Sequence, residues 1–281
     1  MAHGIESIDF NGLPALRLQA GGASAIVSLF GGQVLSWTPR GGKEWLYLSE
    51  TAKFDRSTPI RGGVPVCFPQ FADLGKLPKH GFVRTVDWML ADRRVDKDFA
   101  LIQLRLEDSA ETRALWNHPF GIELTISIED NRLDLEFEVD NRGTDALSFT
   151  GALHTYLRVR EAEEARLEGL YGFTYRDSAN GNAIKRETGD ALMVDAEVDR
   201  VYRQVNRPLL LRDGSRTLGI NTEGFPDVVV WNPWETRCAA LADMPDNGFR
   251  RMLCVEAAAA DTPITVAAGE QWWGRQTLIA L

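Results

Sequence analysis

Two runs of strict alternation between residues 122 and 139 constrain this chain more than any other feature. Ile122, Leu124, Ile126 and Ile128 alternate with Glu123, Thr125 and Ser127. After Asp130-Asn131, Leu133, Leu135, Phe137 and Val139 alternate with Asp134, Glu136 and Glu138. Successive side chains of a strand point to opposite faces, so each run writes one apolar and one polar face. Two such runs joined by a short Asp-Asn turn predict an antiparallel hairpin whose apolar side must pack on a second layer. Shorter runs carry the same signal: residues 15–18, 23–28 and 34–37, divided by Gly21-Gly22 and ended by Pro39 and Gly41-Gly42. Helical signal is thin. Residues 108–115 could make one or two turns, with Asp108 as cap and Glu111 three residues on, before His118-Pro119 stops them. No repeat, low-complexity segment or linker divides the 281 residues. The expectation is an all-β, mainly antiparallel sandwich with few short helices, one domain spanning 1–281.

The formal net charge of -9 argues against a nucleic-acid surface, which would carry a basic patch. An anionic ligand would have to be drawn in by local cations. Cys67, Cys238 and Cys254 are odd in number and match no metal or redox spacing, so structural thiols in a reducing compartment are expected. Residues 1–20 lack a basic stretch followed by an apolar one, and no apolar run approaches a membrane span. A cytoplasmic, soluble protein without membrane or nucleic-acid partners follows, and a monomer is expected. The four histidines are scattered, so no dedicated metal site is expected, and His3 is given no role. There is no Gly-x-Gly-x-x-Gly, Walker-type loop or Gly-x-Ser-x-Gly elbow, which leaves nucleotide binding and a hydrolase nucleophile without support.

One stretch fits neither a plain strand nor a helix: Arg61-Gly62-Gly63-Val64-Pro65-Val66-Cys67-Phe68-Pro69-Gln70-Phe71. Its glycines permit unusual backbone dihedrals and its prolines exclude a regular helix. Leu77-Pro78-Lys79-His80-Gly81-Phe82-Val83-Arg84 follows with a similar make-up. Two rigid loops presenting Arg61, His80 and Arg84 would suit an anionic small molecule; composition alone favours the plainer reading, a rigid surface turn with solvated arginines. His154 lies in a segment that, as a strand, would put Ala152, His154, Tyr156 and Arg158 on one face. A lone strand histidine is more often a hydrogen-bonded core or surface group than a catalyst, yet small neighbours leave room beside it. Glu256 ends an apolar run before four alanines. It is either a strand-end carboxylate turned to water or a general base in a partly dry site. Asp199 alone reads as part of a charged turn or an edge strand. The aromatic-rich stretches 230–234 and 271–274 could line a sugar cleft, since apolar sugar faces pack on rings, though most of their tryptophans read as packing residues.

Taken in order, these segments resemble the glucose-6-phosphate 1-epimerase (hexose-6-phosphate mutarotase) family, a branch of the aldose 1-epimerases. The resemblance rests on Ser36-Trp37, the 61–69 loop, His80-Gly81-Phe82-Val83-Arg84, Ala152-Leu153-His154-Thr155-Tyr156, Asp199-Arg200-Val201-Tyr202, Trp231-Asn232-Pro233-Trp234, Cys254-Val255-Glu256 and Ala267-Ala268-Gly269-Glu270. It implies a galactose-mutarotase-like β-supersandwich, no cofactor, and a sugar phosphate as small-molecule substrate. It implies His154 as acid, Glu256 as base, Arg61 and Arg84 as phosphate contacts and Asp199 as a hydroxyl contact. Lys79 stands where the family pattern has a phosphate-contacting Gln; it keeps a donor and adds a charge. For such a reaction Glu256 would be ionised at neutral pH and His154 biased towards its charged form. A mutarotase of neutral aldoses and a non-catalytic carbohydrate-binding sandwich are the alternatives.

Overall fold

The computed structural model describes residues 4–281, and His3 lies outside them. The expected hairpin forms, with strands Phe120–Glu129 and Arg132–Asn141 around a two-residue turn at Asp130 and Asn131. Ile122 pairs with Val139, Leu124 with Phe137, Ile126 with Leu135 and Ile128 with Leu133. All eight are buried, so the alternation did specify which face meets the core.

This hairpin sits in a nine-stranded antiparallel sheet with Met89–Val95 and Ala100–Glu107 on one side. On the other side lie Gln271–Ala280, Arg216–Glu223, Leu209–Asp213, Arg166–Glu168 and Ala191–Leu192. Facing it is an eight-stranded sheet. Its path runs Ala183–Arg186, Thr174–Asp177, Val198–Arg203, Asp227–Asn232, Met252–Val266, Leu147–Leu153 and Val66–Cys67, and Tyr156–Arg158 also pairs with Met252–Val266. A four-stranded sheet of Gly4–Phe10, Leu13–Ala20, Ala23–Ser28 and Gln33–Thr38 packs its Leu16, Leu18, Ala25 and Val27 into the same core.

The strand Met252–Val266 shows how the layers divide. Leu253, Val255 and Ala257 join the large inter-sheet core, while Cys254, Glu256, Ala258 and Ala260 turn to the opposite, concave face. The alanine run is a strand because it is central to the sheet; burial overrides its weak β-propensity.

Two local expectations are corrected. The helix Ala110–Leu115 is capped by Ser109, not Asp108: the Ser109 hydroxyl accepts the Thr112 N–H, and the Thr112 hydroxyl in turn accepts the Ser109 N–H. Asp108 instead accepts from the Phe120 N–H and pairs with Arg113 at 2.6 Å, closing the chain's exit from the helix. The segment through His154 is not one strand. The Thr155 N–H bonds back to the Leu153 carbonyl, and Leu147–Leu153 and Tyr156–Arg158 are separate elements. The expected division of faces survives this break.

Candidate active site

The concave face forms a cleft of about 540 Å³, and Arg61, Lys79, His80, Arg84, His154, Asp199 and Glu256 all line it. Residues separated by up to 195 positions thus meet because the central sheet sets the floor and the two Pro/Gly-rich loops the wall.

The loop geometry follows from its glycines. Gly63 has φ +62°, and a methyl there would overlap the Val34 carbonyl. Gly81 has φ +72°, and a methyl there would overlap the Phe68 carbonyl. The backbone therefore approaches its neighbours more closely than any side chain permits. The same loop holds the histidine. The His154 N–H donates to the Pro65 carbonyl at 2.9 Å and the Tyr156 N–H to the Gly63 carbonyl at 2.9 Å. Beneath them Val255 N–H donates to the Thr155 carbonyl, and Gln276 bridges the Thr155 hydroxyl and the Val255 carbonyl.

His154 Nδ1 then lies 3.4 Å from Glu256 Oε1, and Glu256 is only 1% exposed. The approach is close enough for an ion pair, but it is not aligned as a hydrogen bond. His154 Nδ1 and Glu256 Oε2 are both buried without a hydrogen-bond partner. Buried polar atoms in this state are rare and point to a missing partner. The Tyr156 ring stacks on His154 at 4.7 Å and 11°, and Trp231 meets both rings edge-on.

A model of the aldose 1-epimerase family matches residues 14–278. The chain belongs to this family. It is similar to a protein of Cenchrus ciliaris named "putative glucose-6-phosphate 1-epimerase", with 37% identity over 92% of this chain and 81% of the relative. The crystal structure of a "putative mutarotase" from Salmonella typhimurium superposes with a TM-score of 0.92 at 27% identity, covering 98% of this chain and 93% of that one. A "galactose mutarotase-like protein" of Clostridium acetobutylicum shares the fold, with a TM-score of 0.82 at 17% identity over 99% of this chain and 98% of that one. The expected galactose-mutarotase-like sandwich is thus the observed architecture of this epimerase-family chain.

The electrostatics of the pair run against the expectation from ordinary pKa values. Burial, and then the Asp199 carboxylate, raise the proton affinity of Glu256 well above the usual carboxylate range. Burial, and then the charges of Arg84 and Arg61, push that of His154 well below the usual imidazole range. Burial and these charges therefore favour the neutral acid and the neutral imidazole over the ion pair. The two arrangements contain the same single proton, so the difference is its position.

His80 has a fixed tautomer. Its Nδ1 accepts the Ala72 N–H at 3.2 Å, which places its proton on Nε2. Burial first, then His154 and the nearby cations, hold it neutral. Its ring lies edge-on to His154 at 5.4 Å.

The two arginines, alike in sequence, differ in place. Arg61 is committed: its Nε pairs with Asp243 at 3.1 Å and its Nη1 donates to the Tyr156 hydroxyl at 2.9 Å. Arg84 donates to the Lys79 carbonyl at 2.8 Å, and its buried Nε has no partner. No carboxylate lies within ion-pair distance of it among the described residues. Lys79 is half-exposed, with Asp73 at 3.7 Å.

Sequence reasoning passed over three contributors. Arg176, Arg237 and Asp243 line or brace the cleft. Trp231, read from sequence as a possible sugar-cleft residue, does line it, and pairs in register with Asp199 on the neighbouring strand. Arg237 comes from the helix Trp234–Ala239, which follows a proline and carries no periodic signal. Cys254, assigned a structural thiol, lies beside the acid–base pair. Its Sγ, a His154 nitrogen and a Glu256 oxygen all fall within 4.8 Å of one another.

Proposed function

We propose that this protein interconverts the α and β anomers of a hexose 6-phosphate, with glucose 6-phosphate as the first substrate to test. The observation that carries the reading is the juxtaposition, in one cleft, of the buried His154–Glu256 pair with Arg84, a cation that has no carboxylate of its own.

Ring opening requires one proton removed from the O1 hydroxyl and one delivered to the ring oxygen O5. Rotation about C1–C2 and closure on the other face reverse the two transfers. No electron and no group leaves. A pair holding one proton between two sites is sufficient: one member gives while the other takes, and closure restores the starting state. We assign His154 as the acid that faces O5 and Glu256 as the base that faces O1. Burial and the protein's own charges favour the opposite distribution of the proton, and substrate corrects it. A phosphate dianion between Arg84, Arg61 and Lys79 offsets the cations that hold the proton off His154, and sugar hydroxyls supply the hydrogen bonds that Glu256 lacks. The phosphate thereby contributes to chemistry as well as binding. Arg84 and Arg61 suit it because a guanidinium fork meets two oxygens at once. Asp199, on the floor beside Glu256, is assigned to a sugar hydroxyl, and the Nε2–H of His80 is a fixed donor to another.

Three free, buried cysteines fit a reducing compartment, and we assign the protein to the cytoplasm, acting as a monomeric single domain. No helix among the described residues is long and apolar enough to cross a membrane. Anomer-resolved NMR exchange on glucose 6-phosphate and on glucose tests the proposal. Equal catalysis of both would replace it with a neutral-aldose mutarotase, and catalysis of neither with a sugar-binding module.

A further inference from the structure

The thiol of Cys254, fully buried next to the cleft-lining Glu256 and Tyr156, is a group that ring opening does not use. It is placed by the sheet: Cys254 and Glu256 are two apart on one strand and so share a face, and Cys254 pairs in register with Tyr156 on one side and Trp231 on the other. All three neighbours line the cleft. Sγ, imidazole nitrogen and carboxylate oxygen therefore converge from one strand and the turn between two others, within 4.8 Å of one another.

From this convergence we infer that His154, Glu256 and Cys254 form an inhibitory binding site for a thiophilic divalent cation, Zn²⁺ in the first instance.

Three features carry it. The first is distance. Bonds of about 2.0–2.3 Å from zinc to nitrogen, oxygen and sulfur put the ligand atoms of a tetrahedral site about 3.3–3.8 Å apart. His154 Nδ1 and Glu256 Oε1 already stand at 3.4 Å, and the Cys254 thiol lies within 4.8 Å of both side chains' ligand atoms. The second is want of a partner. His154 Nδ1 and Glu256 Oε2 are buried and make no hydrogen bond, on side chains at least nine-tenths buried. A cation bound through Nδ1 and the Glu256 carboxylate gives the imidazole nitrogen an electron-pair acceptor in the same space. The third is charge. One thiolate, one carboxylate and one neutral imidazole offset a dication completely, so the bound ion leaves no net charge in an apolar floor. The ligand set is borderline-soft, which favours Zn²⁺, Cd²⁺ or Co²⁺ over Mg²⁺ and Ca²⁺, whose sites are built from oxygen. The fourth coordination position opens on the cleft, where substrate would lie. A metal held there ties up both proton-transfer groups, so binding and catalysis exclude each other.

Metal binding is read without reference to activity. Chelator-treated protein is titrated with Co²⁺ and the near-ultraviolet thiolate-to-cobalt charge-transfer band is followed. A band saturating at one equivalent in wild type and in Cys238→Ser, but absent in Cys254→Ser and Cys254→Ala, is expected. Catalysed anomer exchange is then measured with added Zn²⁺, each variant against its own metal-free rate. Zn²⁺ should inhibit competitively with glucose 6-phosphate and reversibly on chelation, while Mg²⁺ at the same concentrations should not. Loss of the thiol should raise the half-inhibitory concentration at least about tenfold, the lower bound for losing even an outer-shell partner. Circular dichroism verifies that the variants are folded. No charge-transfer band, a band that follows Cys238, or equal Zn²⁺ sensitivity in the Cys254 variants overturns the site. Absence of any exchange activity with the cobalt band intact would instead count against the proposed function and leave the site standing.

Discussion

Arg61 donates to the hydroxyl of Tyr156 at 2.9 Å, and that phenol ring is the one stacked on His154. The cation at the mouth of the cleft is thus mechanically joined to the proton-transfer pair through one aromatic ring. Arg84 has no such link, and this difference separates two residues that the sequence presents as equivalents.

Arg84→Ala should therefore act on the phosphate alone. A charge-assisted hydrogen bond is worth about 1.5–3 kcal/mol, so kcat/KM for glucose 6-phosphate should fall by about ten- to a few-hundredfold. Glucose, which places no anion there, should be used no worse. Arg61→Ala should lower use of both sugars, because Asp243 and the Tyr156 hydroxyl lose their partner and the ring on His154 is released. The measurement is kcat/KM for both substrates in the three proteins. Equal loss on glucose in the Arg84 variant would remove that residue from the phosphate site.

His154→Ala and Glu256→Gln should each slow exchange by roughly 10²–10⁴-fold, the usual worth of one positioned acid or base. The two hold a single proton between them, so the double variant should lose far less than the product of the two factors. Saturation-transfer NMR gives all three rates, and strict multiplicativity would mean that the residues act independently.

The shared proton also predicts a pH dependence of stability. Unfolded, Glu256 titrates near about 4.3 and His154 near about 6.5. Folded, the first is raised and the second lowered. Below about 4.3 the unfolded chain holds two protons on these groups and the folded protein one, so their contribution rises with pH. Between about 4.3 and about 6.5 both states hold one, and it is flat. Above about 6.5 the unfolded chain holds none, and it falls. Chemical denaturation from pH 4 to 9 of wild type against His154→Gln/Glu256→Gln should give a difference curve with this plateau. A difference that climbs steadily to pH 9 would contradict the neutral pair.

Gly63→Ala should destabilise the fold by more than the roughly 1–3 kcal/mol of an unfavourable backbone conformation alone, because the new methyl also meets the Val34 carbonyl. Gly12→Ala has a similar positive φ with open space around it, and should lose only the conformational part. Urea midpoints of the two variants separate the terms; equal shifts would show that close approach contributes nothing.

Much of the architecture was legible because it is written in periods. The 122–139 alternation specified a hairpin, its turn, its register and its buried face, since a slip of one residue would expose every Ile and Leu. The Pro/Gly loops at 61–71 and 77–84 announced irregular backbone, and the glycines stand where no side chain fits. The seven site residues were reached mainly through the ordered motifs, because each alone is an ordinary histidine, acid or arginine. What tertiary structure decided lies between residues far apart in the chain. That His154 meets Glu256 across 102 positions depends on which strands neighbour one another, and no local pattern encodes strand order. The position of the pair's proton depends on burial and on charges from other elements, which turned the expected ion pair into a neutral one. The commitment of Arg61 to Asp243, the freedom of Arg84 and the place of Cys254 beside the acid–base pair have the same origin. A residue type sets what a side chain can do, whereas its neighbours in the folded sheet set its charge, its partner and its task.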